Sequence, residues 1–388
     1  MSLNHYRSYL TTMLISFIEW FDFLIFVYVF IQLFNNSEIV IFQKFGILIS
    51  FFARPLGAYI FGRVSLKKGR IVSLLNTIYL MSVASFLLII AVFVKDNLFF
   101  CVLITIIARF IQGIALGGEF TNSVLYIFEI AKYKSTAIAI AGLGAGLGMT
   151  LATYAPNLLS RIKFIENKII FSYSISIFIS IIVIFFRKNM IEPIKYSNDI
   201  SNKISNNNIM LTLSVFKYVF PYVFIIYYTL LIFPEYIQKK YNVSPEISEI
   251  CLTYFSFFTT IVPILFGILS DKIGVEKVLR WTNISIILFI PLYHFVNNYF
   301  VQINILSILV SSYWATSLTK LFSKSNINQL YMSFPVIYNL LVAIISTQII
   351  TFFNIRLEHD FVFSFFLILI FVLSINDNFR FNKNMVKN

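Results

Sequence analysis

The sequence predicts an all-α membrane protein with twelve transmembrane helices in two six-helix halves. Its 388 residues are 59% hydrophobic and only 12% charged, and the mean hydropathy is +0.84. These values lie outside the usual range of soluble domains. Long apolar runs, each able to supply the roughly 20 residues that cross a bilayer, begin near residues 9, 45, 72, 98, 136, 168, 211, 249, 278, 301, 330 and 360.

The longest polar stretch divides the chain near its middle. It is rich in Asn, Ser and Lys, which is typical of a flexible linker. We therefore expect an N-terminal six-helix half over residues 1–188 and a linker over 189–210. A C-terminal six-helix half with a short tail then occupies residues 211–388.

A short loop sequence occurs twice. The segment from Gly62 to Gly69 recurs as Gly267 to Gly274, each time after the second predicted helix of its half. A basic loop alone is weak support, but glycines at matching places in both halves are difficult to obtain by chance. Parallel six-helix repeats around a central site are the architecture of alternating-access transporters.

The formal net charge of +13 is distributed as expected for a membrane protein. Most Lys and Arg residues fall in alternate loops, so the positive-inside rule places these loops and both termini in the cytoplasm. This distribution argues against a nucleic-acid partner and predicts a multi-pass protein of a bacterial inner membrane. No cleavage site follows the first apolar run, which we interpret as a retained helix. Cys101 and Cys251 lie in separate apolar runs and predict packing roles.

The fourth apolar run carries charges that a lipid-facing helix would not tolerate. An ionisable group in hydrocarbon costs at least about 2.5 kcal/mol, so it usually faces a bundle interior or a water-filled path. At 100° per residue, Arg109, Gln112, Leu116 and Glu119 fall on one face of this helix. The face predicts either a transport path or a buried ion pair that only holds helices together.

These segments resemble the major facilitator superfamily, whose loop signature is Gly-x-x-x-Asp-Lys/Arg-x-Gly-Arg. Within it, the chain is most similar to the metabolite:proton symporter branch, which includes bacterial proline/betaine transporters. The closer resemblance lies in four segments: Ile18–Phe23, Arg54–Gly62, Arg109–Thr121 and Tyr227–Ile237. It implies the major facilitator fold and an alternating-access transporter.

The loop signature departs from the family pattern in both copies. Leu66 replaces the acidic residue of the first copy, whereas Asp271 retains it in the second, and Val275 stands where Arg70 stands in the first copy. In the family this acid helps to close the cytoplasmic face, so Leu66 predicts a bias towards the inward-open state. The predicted gating residues are Gly62, Leu66, Gly69, Arg70, Gly267, Asp271 and Gly274.

Coupled transport requires a carboxyl group that gains and loses a proton. Burial disfavours the charged form of a carboxyl group, and a nearby cation favours it, so relative movement of the two can load or release a proton. We expect Glu119 or Asp22 to carry the proton, with Arg109 as counter-charge or as contact for a substrate carboxylate. The predicted proton and substrate path comprises Glu19, Asp22, Arg54, Arg109, Gln112 and Glu119, with packing roles left open for Glu19 and Arg54.

The C-terminal half offers aromatic and amide side chains in place of charges. Its candidates for facing the substrate are Tyr227, Tyr228, Trp314, Tyr338, Asn339 and Gln348. An aromatic wall opposite a charged wall suits a zwitterion such as proline or betaine, since a ring face attracts an ammonium group.

The expected function is therefore proton symport of a small zwitterion by a monomer in the lipid bilayer. The proton gradient drives it, with no cofactor, no metal and no enzymatic activity. Two alternatives remain. One is an organic-acid symporter for a dicarboxylate, citrate or shikimate-like solute. The other is a non-cycling sensor or partner subunit, suggested by Leu66 and by a divergent eleventh helix.

Overall fold

The computed structural model is α-helical throughout its regular structure, and it contains no strand within the ranges it describes. Those ranges are residues 3–30, 37–161, 167–186, 190–193, 208–231, 233–293 and 295–352. The predicted twelfth span, near residue 360, lies outside them. So do residue 189 and residues 194–207 of the predicted linker.

Six described helices precede the predicted linker and six follow it. The first group consists of α1 (Leu3–Tyr28), α2 (Ser37–Lys67), α3 (Arg70–Phe93), α4 (Leu98–Ile130), α5 (Lys134–Arg161) and α6 (Lys168–Phe186). The second group consists of α7 (Asn208–Leu231), α8 (Phe233–Tyr241), α9 (Pro245–Ile273), α10 (Val275–Tyr293), α11 (Tyr299–Ser323) and α12 (Ile327–Phe352). Ten of the described helices are long and apolar enough to cross a membrane. The short helix α8 was not predicted, and it begins two residues after the end of α7.

Polar residues mark the start of three long helices. Asn97 accepts a hydrogen bond from the Phe100 amide before α4, and Asn298 does the same for the Phe300 amide before α11. Ser244 precedes Pro245 at the start of α9. Such caps satisfy amide groups that have no partner within the helix, and proline suits the first helical position.

Glycine allows α4 to pack directly on the backbone of α2. A Cβ atom at Gly117 would collide with the carbonyl oxygen of Arg54, and one at Gly113 would collide with that of Ser50. Gly57 of α2 lies equally close to the Ile114 carbonyl. This contact fixes the charged residues of α2 and α4 side by side, as small residues do at transmembrane helix crossings.

The repeated loop glycines have equivalent structural roles in the two halves. A Cβ atom at Gly62 would lie 2.5 Å from the Tyr331 carbonyl oxygen of α12, and one at Gly267 would lie 2.9 Å from the Ser135 carbonyl oxygen of α5. Both glycines therefore lie where a helix of one half crosses a helix of the other. We call the end of the bundle that carries Gly69 and Gly274 the basic-loop end.

Candidate functional site

The residues predicted to form the proton and substrate path are all buried in the structure. They lie on three helices, where α1 carries Glu19 and Asp22, α2 carries Arg54, and α4 carries Arg109, Gln112 and Glu119. Burying so many ionisable groups is costly unless they have partners or a function. The structure separates them into three environments.

Arg109 is enclosed within its own half. Its Nε donates to the Gly46 carbonyl oxygen at 3.2 Å, and one Nη donates to the Gln112 side chain. The Phe26 ring centroid lies 4.1 Å from the guanidinium carbon. Glu119 follows ten residues later, about 15 Å along the helix axis, so sharing a face does not bring these two side chains together.

Asp22 lies beside Arg109 within the same half. Its Oδ2 accepts a hydrogen bond from the Ser85 hydroxyl of α3, and it is within electrostatic reach of Arg109 and Tyr173. Its Oδ1 has no hydrogen-bond partner among the described residues. Ser85 and Tyr173 were not predicted, because several polar residues occur along each of these apolar helices and the sequence does not distinguish one from another.

Arg54 faces the other half. Its Nη1 donates to the Tyr227 hydroxyl of α7 at 2.8 Å, while the ring centroids of Phe23 and Phe51 lie 5.0 and 4.8 Å from its guanidinium carbon. Glu19 is within electrostatic reach of Arg54, but the two form no salt bridge. The structure thus brings Arg54, Glu19 and Tyr227 together at the interface between the halves.

Glu119 has neither a hydrogen bond nor a salt bridge among the described residues. Its side chain is 0% exposed, and both of its carboxyl oxygens are buried without a partner. The charged groups within its electrostatic reach are Glu19 and Asp22, both acidic. The structure therefore places three acidic side chains within electrostatic reach of one another, and Glu19 and Asp22, unlike Glu119, also have an arginine within reach.

Aromatic side chains from both halves meet around this cluster. The Phe120 ring lies 6.0 Å from the Trp314 ring and 5.9 Å from the Tyr338 ring, measured between centroids. Trp20 lies 6.4 Å from Phe120 and 6.0 Å from Tyr227. The Glu-Trp-Phe-Asp segment of α1 contains Trp20, but the sequence predicts roles only for its two acidic residues.

Asn339 and Tyr228 of the C-terminal half have contacts of other kinds. The Asn339 amide donates to the Gly117 carbonyl oxygen of α4 at 2.9 Å, so it joins α12 to α4. Tyr228 is buried and stacks on Phe224 within α7. The side chain of Gln348 lies outside the described residues.

A small cavity lies between the two halves. A cavity of about 10 Å³, room for about one water molecule, is lined by Phe120, Gly142, Ala145, Met149, Tyr222, Thr259, Pro263, Ser311 and Trp314. A small-molecule pocket usually measures about 300–1,000 Å³. The cavity must therefore enlarge before it can admit a solute.

Asp271 ties the two halves at the basic-loop end. Its carboxylate accepts hydrogen bonds from the amides of Ser135 (3.1 Å) and Thr136 (2.8 Å), and from the Thr136 hydroxyl (2.7 Å). These groups form the first turn of α5, where the helix dipole favours a negative charge. One acidic side chain of the C-terminal half thus caps a helix of the N-terminal half.

The first copy of the loop closes differently because Leu66 has no acidic group. Leu66 is buried in the last turn of α2, and Asn326 caps α12 itself by accepting from the Asn328 amide at 3.0 Å. Arg70 then joins the halves by donating to the Asn328 side chain at 3.2 Å and lying over the Tyr331 ring.

Acidic residues hold Arg70 in this position. Its guanidinium forms a salt bridge with Glu129 at 3.3 Å, and Glu129 also accepts from the Tyr331 hydroxyl at 3.1 Å. Glu192 accepts from the backbone amides of Arg70 and Ile71 at the start of α3. The halves are joined at both copies of the loop in the described state. The inward-open bias expected from Leu66 stays a prediction.

Within the described residues, no His, Cys, Asp and Glu side chains form a metal-binding group.

The chain is similar to known transporters in sequence. Residues 12–192 match the family described as "Sugar (and other) transporter". A Staphylococcus aureus (strain COL) protein named "Putative proline/betaine transporter" is 25% identical over 288 residues, which are 67% of this chain and 61% of the relative. The match thus spans less than two thirds of that relative. The shikimate transporter of Escherichia coli (strain K12) is 27% identical over 43% of this chain and 40% of its own length.

Solved structures share the fold. The proton:xylose symporter XylE superposes with a TM-score of 0.75 at 15% identity, covering 96% of this chain and 94% of that one. The human organic anion transporter MFSD10 superposes with a TM-score of 0.71 at 12% identity, covering 96% of this chain and 100% of that one. With its matching loop repeats, paired halves and ten described helices able to cross a membrane, this chain is a multi-pass membrane protein with the fold of the major facilitator superfamily, and it is similar in sequence to known transporters.

Proposed function

We propose that this protein is a proton-coupled symporter of a small zwitterion of the proline or betaine type, working by alternating access in a bacterial inner membrane. The observation that carries the proposal is the cluster of three buried acids with unsatisfied oxygens, next to Arg54 and an aromatic wall from the opposite half. Acidic and aromatic groups suit the ammonium end of a zwitterion, and an arginine suits its carboxylate. The staphylococcal relative's name supports the same solute class.

Glu119 is the proposed proton carrier. A buried carboxyl group without a cation partner favours its neutral form, and it can be charged only when its surroundings change. Rocking of the halves supplies such a change, because α4 packs against both α2 and α12. Asp22 is the second candidate, and its neighbour Arg109 would stabilise its charged form.

A second solute class also has structural support. Arg54 Nε and one Nη of Arg109 are buried donors without an acceptor among the described residues. Two such cations would suit an organic acid, and relatives named for shikimate and alpha-ketoglutarate transport the same chemical class. The test must therefore compare a zwitterion with a dicarboxylate.

Uptake into proteoliposomes tests this proposal. We would measure labelled L-proline, glycine betaine and 2-oxoglutarate with an acidic exterior, and repeat each assay without a pH gradient. Proline or betaine should accumulate only with the gradient, and a protonophore should abolish the accumulation. Accumulation of 2-oxoglutarate alone would favour the organic-acid function. No uptake of any solute would contradict symport and favour a non-cycling sensor.

A further inference from the structure

Arg54 differs from the other buried guanidinium in where its donors point. The two hydrogen bonds of Arg109 go to the Gly46 carbonyl and the Gln112 side chain, both in its own half. The hydrogen bond of Arg54 crosses to Tyr227 of the opposite half. Resting on the proposed function, we infer that Arg54 is the ligand of the solute carboxylate and that Tyr227 competes with the solute for this position.

The position of Arg54 is fixed from behind. Its carbonyl oxygen packs against Gly117 of α4 so closely that a Cβ atom there would collide with it. The Phe23 and Phe51 ring centroids are 5.5 Å apart, so both rings cover the same side of the guanidinium. The backbone contact and the ring cover hold the side chain in place, with its Nη1 directed at the Tyr227 hydroxyl of α7.

The chemistry of the contact favours exchange. Tyr227 presents one neutral hydroxyl oxygen, whereas a carboxylate presents two charged oxygens that match the planar donors of arginine. Arg54 is only 3% exposed, and its Nε has no acceptor among the described residues. A carboxylate would satisfy this donor as well as the one that Tyr227 now occupies.

Displacing Tyr227 would change the packing between the halves. Its ring lies 5.4 Å from the Phe51 ring and 6.0 Å from the Trp20 ring, between centroids. Releasing the hydroxyl removes a hydrogen bond between α7 and α2. Solute binding at Arg54 would therefore loosen one contact between the halves, which links occupancy to movement.

Binding measurements on the purified full chain separate the carboxylate from the rest of the ligand. Glycine betaine and choline share a trimethylammonium group, and of the two only betaine carries a carboxylate. By isothermal titration, Arg54→Gln should weaken betaine binding about 30-fold, the effect of losing about 2 kcal/mol from a charged pair, and leave choline unchanged. Tyr227→Phe should strengthen betaine binding about 10-fold by removing the competitor, and leave choline unchanged.

The matched control is Tyr313→Phe, which removes the hydroxyl of another buried tyrosine of the C-terminal half. It should change neither affinity. Equal loss of betaine and choline binding in Arg54→Gln would overturn the inference, as would a retained preference for betaine. Unchanged or weaker betaine binding in Tyr227→Phe would overturn the competition independently, even if Arg54→Gln did not fold. If the wild type bound neither betaine nor L-proline, the proposed function itself would fail.

Discussion

Replacing Asp271 by Leu would give the second loop the same residue that the first loop has at Leu66. Asp271 accepts three hydrogen bonds from Ser135 and Thr136 across the two halves. Hydrogen bonds to a charged group contribute about 1.5–3 kcal/mol, and a helix cap about 1 kcal/mol. Because this side chain is partly exposed, we expect a total loss of about 2 kcal/mol, which corresponds to about a 30-fold increase in opening at the basic-loop end.

Cysteine labelling measures this opening directly. Ala139 is fully buried under the contact, next to Gly267. Ala139→Cys would be introduced after replacing the native residues Cys101 and Cys251 by alanine, and its reaction with a maleimide would be followed in detergent. Its labelling rate should rise about 30-fold in Asp271→Leu, since labelling requires the open state.

Two matched variants make the result specific. Asp271→Asn keeps one acceptor oxygen but loses the charge, so its labelling rate should be intermediate. Asp96→Leu removes an exposed acid between α3 and α4 and should leave the rate unchanged. A labelling rate in Asp271→Leu equal to that of the wild type would refute the role of Asp271 as a tie between the halves.

Three further predictions concern Glu119, Leu66 and Gly117. Glu119→Gln should fold normally, because Arg109 has other partners, and it should exchange solute across the membrane without accumulating it. The control Glu246→Gln, at an exposed site, should accumulate solute, and accumulation by Glu119→Gln would remove Glu119 from the mechanism. Leu66→Asp should favour the state closed at the basic-loop end and increase labelling of cysteines placed at the opposite end, and unchanged or reduced labelling there would count against the gate. Gly117→Leu should force α4 away from α2 and destabilise the protein by about 3 kcal/mol or more, so an unchanged melting temperature would contradict the close contact.

The helices were predictable because length and hydropathy are local properties of the chain. All but one of the described helices match a predicted span, and the exception, α8 (Phe233–Tyr241), is nine residues long and carries three charges. A polar helix of this length gives no hydropathy signal. The repeated glycines were also recognisable, since the packing role of Gly62 and Gly267 depends on their absent side chains.

The partners of the buried charges were not predictable in the same way. The prediction placed Arg109 and Glu119 on one helix face, but their separation along α4 prevents contact. The bond between Arg54 and Tyr227 joins residues far apart in sequence and depends on how two halves pack. Asn326 likewise caps α12 where the acid missing at Leu66 would be expected, and this compensation is visible only once the helix ends are placed.

The central claim is that solute and proton move together, and the proton itself is the most direct observable. Proteoliposomes containing the purified protein and a trapped pH-sensitive dye would receive L-proline or glycine betaine outside, without an imposed pH gradient and with the membrane potential clamped. Symport predicts acidification of the lumen that requires the solute, saturates with its concentration and is lost in Glu119→Gln. Solute entry without any change in luminal pH would contradict the account.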